Sequence, residues 1–264
     1  MRYKLLGKTG VKVSALAFGT MPFGGDVDEA TARALYARCR DAGINHFDCA
    51  DVYNSGRAEA LLGRLTADAR DELILSTKAY FPTSADPNAR GASRYHLVRA
   101  LEASLRRLGT DRVDLFYLHR FDDHADLEGT LRALEDLVRA GKVLYPAVSN
   151  FAAWQVARAL GHAERLGFAP IVCMQPMYNL AKRQAEVELL PLAAAEQLGV
   201  FPYNPLGGGL LAWRYTEGMP DAGRIVDNKM YRTRYGDPAQ LELAARFAAL
   251  ARELGHHPAT LAVA

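Results

Sequence analysis

An acid, a phenol, an ammonium and an imidazole follow one another along the first half of this chain. The stretch from Asn45 to Tyr53, NHFDCADVY, carries Asp48, Asp51 and Tyr53, while Lys78 closes LILSTK and His119 closes DLFYLH. Each apolar stretch reads as a buried strand that stops where its charge begins. In parallel sheets capped by helices, the carboxyl ends of the strands face the loops that bind and react. Neighbouring strands lie about 4.8 Å apart, so side chains from three adjacent ends can converge on one point, and Tyr53 can fold back from the loop to join them. The chemistry this allows is proton donation. A free tyrosine titrates near pH 10, and a nearby cation favours the phenolate. Lys78 is expected to be that cation, Asp48 to hold it by an ion pair, and His119 to hydrogen-bond a substrate oxygen or help pass the proton. Lowering the phenol by ~2 pH units asks for ~3 kcal/mol, within reach of one partly buried ammonium.

The elements that must position these groups follow from periodicity and caps. Tyr3 to Leu6 and Val11 to Ser14 read as a β-hairpin around Gly7 and Gly10. Leu16 to Gly19 is a strand, and Asp28 caps a helix from Glu29 to Ala42 with Leu35, Cys39 and Ala42 inward and Gly43 ending it. Asn45 to Asp48 and Leu73 to Lys78 are strands flanking a short helix, Ala58 to Leu65. Ser93 caps a helix carrying Leu97, Leu101, Leu105 and Leu108; strand Asp114 to His119 follows. Asp126 caps the next, with Leu127, Leu131, Leu134 and Val138 inward and Gly141 at its end. Then come strand Tyr145 to Ser149, with Pro146 at its start or in a bulge, and helix Ala152 to Leu166. Strand Ile171 to Gln175, helix Ala185 to Leu198 and strand Val200 to Asn204 complete the alternation.

One strand and one helix per roughly thirty residues is the repeat of a (β/α)₈ TIM barrel. A doubly wound sheet is disfavoured because no GxGxxG follows the first strand. Several strand ends also carry polar residues, as a ring of loops requires. Gly207 to Pro238 reads as a long binding loop, then a helix with Leu243, Phe247, Leu250 and Leu254, and another from Pro258. We expect a single barrel domain over residues 1–264 with an N-terminal β-hairpin and seven barrel strands, the eighth strand and its helix missing from this chain.

Composition narrows the class. With half of its 264 residues hydrophobic, the chain can bury a large core. A net charge of +2, with basic residues scattered through helices, argues against nucleic acid as a partner. Cys39, Cys49 and Cys173 lie far apart and outside any CxxC, so no metal site is expected and the thiols read as reduced, in a cytoplasmic protein. No apolar run reaches the length of a membrane span.

Taken together, FDCADVY, STK, DLFYLH, VSNF, QPMYN and YNPLGGGLL resemble the aldo-keto reductase superfamily in order and interval, over nearly the whole chain. The resemblance implies a (β/α)₈ barrel that reduces small aldehydes or ketones with NADPH, NADH being the alternative cofactor. It implies a tetrad of Asp48, Tyr53, Lys78 and His119. Ser149, Asn150 and Gln175 would hold the nicotinamide carboxamide, Tyr203 would stack on the ring, and Gly19 and Thr20 would line the floor. Asn204 stands where the family has serine, and Leu206, Gly207, Gly208 and Leu210 would approach the pyrophosphate. A substrate pocket would draw on Met21, Phe23, Tyr80, Arg120 and Trp213, with Arg120 favouring a polar or anionic substituent; Trp154 is expected to pack its helix on the barrel. Two other functions compete: a Schiff-base aldolase using Lys78, and a nicotinamide-binding regulatory subunit with little turnover, since potassium-channel β subunits resemble the same fold.

Overall fold

The computed structural model describes residues 1–215 and 219–264, which form two compact units. The first comprises Met1–Gln175 and Leu192–Phe201, the second Pro176–Pro191 and Pro202–Ala264.

In the first unit, β1 (Tyr3–Leu5) and β2 (Lys12–Ser14) pair antiparallel as the expected hairpin. Alternation then begins with β3 (Ala17–Gly19), α1 (Glu29–Asp41), β4 (His46–Asp48), α2 (Arg57–Thr66), β5 (Ile74–Ala79) and α3 (Arg94–Leu108). It continues through β6 (Val113–Leu118), α4 (Leu127–Arg139), β7 (Val143–Ser149), α5 (Ala153–Leu166), β8 (Cys173–Gln175), α6 (Leu189–Glu196) and β9 (Gly199–Val200). Strands β3 to β9 pair in chain order, all parallel, as a curled seven-stranded half-barrel with helices around it. This is the (β/α)₈ plan, and β3 and β9 are the sheet's two edges among the described residues. Leu6 and Val13 of the hairpin pack onto Leu115, Tyr117, Ala147 and Cys173, so the hairpin covers the strands' inward side chains. Gly7 makes that approach possible: at φ +53°, a Cβ there would lie 2.8 Å from the Gln197 carbonyl oxygen.

The predicted caps form. Asp28, Ser93 and Asp126 accept from the N–H groups of Thr31, His96 and Gly129, satisfying donors that the first helical turn leaves open. Other expectations fail for physical reasons. The buried stripe of α1 is Ala32 and Cys39, whereas Leu35 and Ala42 are exposed. On α4, Leu137 is buried, while Leu127 and Val138 are only half-buried. Pro146 lies inside β7, opposite Phe116, rather than at its start. It is tolerated because the β8 ladder begins one residue later, at Ala147. The helix expected over Ala185 to Leu198 is split: a 3₁₀ turn at Gln184–Glu186 precedes α6, whose first turn holds Pro191, where a missing N–H costs nothing. Pro202 likewise ends β9 early.

The second unit replaces the long loop expected over Gly207 to Pro238. It contains 3₁₀ turns at Gly207–Gly209 and Trp213–Tyr215, then α7 (Arg224–Asp227), α8 (Lys229–Tyr235), α9 (Pro238–Glu253) and α10 (Pro258–Val263); residues 216–218 of that stretch lie outside the described residues. Leu210, Tyr215, Ile225, Tyr231, Tyr235 and Ala244 form its own core. Helix α9 buries Ala244, Ala248 and Ala251, leaving Leu243, Leu250 and Leu254 exposed. Among the described residues no helix is long and apolar enough to cross a membrane.

Candidate active site

Strands β4, β5 and β6 are adjacent in the sheet, and their parallel register pairs Asp48 with Ser76 and Lys78 with Tyr117. Because strand side chains alternate, His46 and Asp48 share one face of β4, and Ser76 and Lys78 share one face of β5. All four are buried, Lys78 completely. Its ammonium donates to Asp48 Oδ2 at 2.5 Å and to the Cys49 carbonyl at 2.6 Å. Burial pulls its pKa down, but Asp48 and Tyr53 outweigh that, so the lysine stays charged. For Asp48, burial acts upward, and the charge of Lys78, with hydrogen bonds from Lys78 and Ser76, carries it below its ordinary range.

Tyr53 opens a turn after β4 whose next residues, Asn54 and Ser55, are left-handed, at φ +48° and +56°. The Asn54 amide holds that turn by donating to the carbonyls of Met21 and Phe23 at 2.9 and 2.8 Å. The Tyr53 ring centroid is 5.2 Å from the Lys78 nitrogen and 6.0 Å from the His119 ring, which it meets edge-on. The Phe81 ring also meets His119 edge-on, at 4.9 Å. The structure thus brings Asp48, Tyr53, Lys78 and His119 together. It revises the electrostatics, however. Burial pushes the Tyr53 phenol up to about 12, with Lys78 acting downward, so the hydroxyl keeps its proton at neutral pH instead of being acidified. Burial, then Lys78, pulls His119 down to about 3, leaving a neutral imidazole whose buried Nδ1 has no hydrogen-bond partner.

The strand ends beside this group carry amides and a hydroxyl. Gln175 donates to Asp48 Oδ1 at 3.2 Å, Ser149 Oγ donates to the Gln175 carbonyl at 2.8 Å, and Asn150 Nδ2 donates to the His119 carbonyl at 2.9 Å. Thr20 is buried and donates twice to the Asp48 carbonyl, through N and Oγ1, both at 2.9 Å; Gly19 pairs with Asp48 in the sheet. Of the substrate-pocket residues, Met21 and Arg120 are exposed and Tyr80, half-buried, abuts Phe81. Phe23 is fully buried, its ring 5.9 Å from that of Phe18. Trp154 is exposed, its ring 5.8 Å from Phe121, and does not fasten its helix to the barrel.

Two residues below the tetrad escaped sequence reasoning. Ser76 Oγ donates to Asp48 Oδ1 at 2.7 Å and lies 3.1 Å from His46 Nε2. Burial lowers His46 to about 4, so it is neutral. The signal was present in the strand period: each sits two residues before a tetrad member.

In the second unit, Tyr203 bridges to Met177, and the Asn204 side chain accepts from Gly208 N and donates to the Tyr235 hydroxyl. Gly208, at φ +70°, has no room for a Cβ, which would meet Tyr231 at 2.6 Å. The N–H groups of Gly207, Gly209, Leu210 and Leu211 donate to carbonyls of the same turn. Leu206 precedes that turn, and Trp213 lies under Arg252 at 4.2 Å and beside His257 at 5.8 Å.

This arrangement can hold a carbonyl oxygen between a phenol and a neutral imidazole, with a fixed positive charge behind the phenol. Known proteins are similar to this chain in sequence. The aldo/keto reductase family profile matches residues 15–264. The Bacillus subtilis protein named "Uncharacterized oxidoreductase YrpG" is 39% identical over 279 residues, covering 100% of this chain and 82% of that protein. An Arabidopsis thaliana protein named "Probable voltage-gated potassium channel subunit beta" is 38% identical, covering 86% of this chain and 70% of its own. One of the same name from Oryza sativa subsp. japonica is 40% identical, covering 83% of this chain and 68% of its own. A match across this span, with a strand-end tetrad of the kind the sequence motifs imply, shows that the chain belongs to the aldo/keto reductase family.

Proposed function

We propose that the protein reduces an aldehyde or ketone to an alcohol with NADPH, Tyr53 giving the proton. The observation that carries this reading is the buried Lys78–Asp48 ion pair directed at the Tyr53 ring, with a neutral His119 against the same ring. The donor set at the neighbouring strand ends, a hydroxyl and two amides on Ser149, Asn150 and Gln175, is chemically suited to a carboxamide. A reduced nicotinamide bound there would supply a hydride to the carbonyl carbon. Tyr53 and His119 polarise the carbonyl oxygen by hydrogen bonds, and the Tyr53 proton passes to it as negative charge develops. A phenol that keeps its proton through the neutral range is suited to this, because an alkoxide is far more basic than phenolate. Lys78 then stabilises the tyrosinate left behind, and Asp48, held by Ser76 and Gln175, keeps that lysine in place. On this reading, residues 1–264 act as one reductase domain. Gly19 and Thr20 line the floor, Met21, Phe23, Tyr80 and Arg120 select the substrate, and Tyr203, Asn204, Leu206, Gly207, Gly208, Leu210 and Trp213 keep the cofactor and substrate roles the resemblance gives them.

The ion pair speaks against the aldolase, since a charged lysine is a poor nucleophile. The relatives named as channel subunits support a second reading, a nicotinamide-binding subunit that docks a partner and turns over slowly. Loss of NADPH absorbance on adding a panel of aromatic and aliphatic aldehydes separates the three. Reduction predicts carbonyl-dependent loss with no protein adduct. Cofactor binding without loss points to the subunit, and borohydride trapping of a carbonyl on Lys78 points to the aldolase.

A further inference from the structure

A cavity of about 390 Å³ lies in the first unit between the start of α3 and residues 83–89, lined by none of the tetrad residues. Asp51 lines it. Its carboxyl group is buried, and apart from the Val52 backbone N–H neither oxygen has a hydrogen-bond partner among the described residues. His96, also buried, lines the same cavity, and its Nε2 is unpartnered too. Buried polar atoms are nearly always paired, so two such groups on one cavity mark the place of an absent partner.

The other charges around the cavity are already matched. Arg107 binds Glu59 at 2.6 Å, Arg99 lies 3.9 Å from Asp86, and Glu102 pairs with Lys142. Arg106 is exposed, where water screens its charge. Asp51 is therefore the lining carboxylate without an ionic partner among the described residues. The unmet demand is for donors, since burial and Arg99 keep the His96 ring neutral and a neutral ring nitrogen can accept. Val98, Ala100 and Ala103 supply an apolar wall beside these acceptors. A metal ion does not fit, because no group of three His, Cys, Asp or Glu side chains able to hold one occurs among the described residues.

We propose that this cavity is a second ligand site, which takes the ammonium head of a small alkylamine between Asp51 and His96 with its chain along the alanine wall. The inference is independent of the reductase reading. It also fixes a pH dependence. Burial, then Glu59, raises Asp51 to about 7, while Arg107 and Lys78 act the other way. An ammonium ion binds the ionised carboxylate. That form is about one-tenth populated at pH 6 and about nine-tenths at pH 8, so affinity rises about tenfold between them.

Calorimetric titration of the full chain with butylammonium chloride tests the proposal. We expect saturable one-site binding at pH 8 that is about tenfold weaker at pH 6. Binding should weaken at least tenfold both in Asp51→Asn and in Ala103→Met, which fills the cavity while leaving Asp51 intact, with folding of each checked by circular dichroism. Sodium butyrate is the control and should not bind. Butyrate binding as well as the amine, binding unchanged in either folded variant, or no saturable heat at pH 8 would overturn the proposal, the last meaning that the cavity holds water only.

Discussion

The Tyr53→Phe variant should bind NADPH as tightly as the parent and turn over aldehydes about 10²- to 10⁴-fold more slowly, the range expected when one general acid is lost. The Tyr53 hydroxyl is the group that differs. Its ring contacts His119 edge-on and lies over the Lys78 ammonium, so phenylalanine keeps the shape and the ring contacts and removes only the transferable proton. His119 cannot take over as the acid. With burial holding its pKa at about 3, the imidazolium is too scarce at neutral pH to donate. Fluorescence titration of NADPH and initial rates at saturating aldehyde separate the two quantities. A variant that keeps more than a tenth of the parent kcat would remove Tyr53 from the proton's path.

Asp48→Asn should be the more damaging of the two ion-pair substitutions for stability. Breaking a buried pair by removing one partner costs about 3–5 kcal/mol, because the remaining charge stays buried without compensation. The two halves are not equivalent. Lys78→Met leaves the Asp48 carboxylate with the Ser76 hydroxyl and Gln175 amide as donors. Asp48→Asn leaves a fully buried ammonium with only neutral acceptors, such as the Cys49 carbonyl, and no compensating charge. Urea unfolding at pH 7 should therefore show a loss of about 3–5 kcal/mol for Asp48→Asn and a smaller loss for Lys78→Met, while both abolish most turnover. Equal losses, or none for Asp48→Asn, would mean that the pair is not the anchor described here.

Much of this was legible in the sequence, and the failures have identifiable causes. The strand end at Asp48 and the helix caps at Asp28 and Ser93 were read correctly because a charge after an apolar run and an Asp or Ser before a helix have local causes. The tetrad was legible because parallel strands adjacent in sequence became adjacent in space. Which face of a helix is buried was less accessible. On α9 the small alanines face inward and the leucines outward, since the distance to the neighbouring elements, and not hydrophobicity alone, selects the side chain. The stretch after Gly207 looked like a loop because its helices are short and punctuated by glycine, although its tyrosines build a core. The tyrosine's titration was misjudged because the sequence displays the neighbouring lysine but not the depth of burial that outweighs it.

The most direct test of the account is the fate of the hydride. The chain is incubated with an aromatic aldehyde and NADPH carrying deuterium at the transferable C4 position, and the alcohol is analysed by mass spectrometry. The account predicts one deuterium on the carbinol carbon of each product molecule, at a rate that collapses in Tyr53→Phe. Alcohol formed without deuterium, or intact labelled cofactor recovered after prolonged incubation with the whole aldehyde panel, would contradict it.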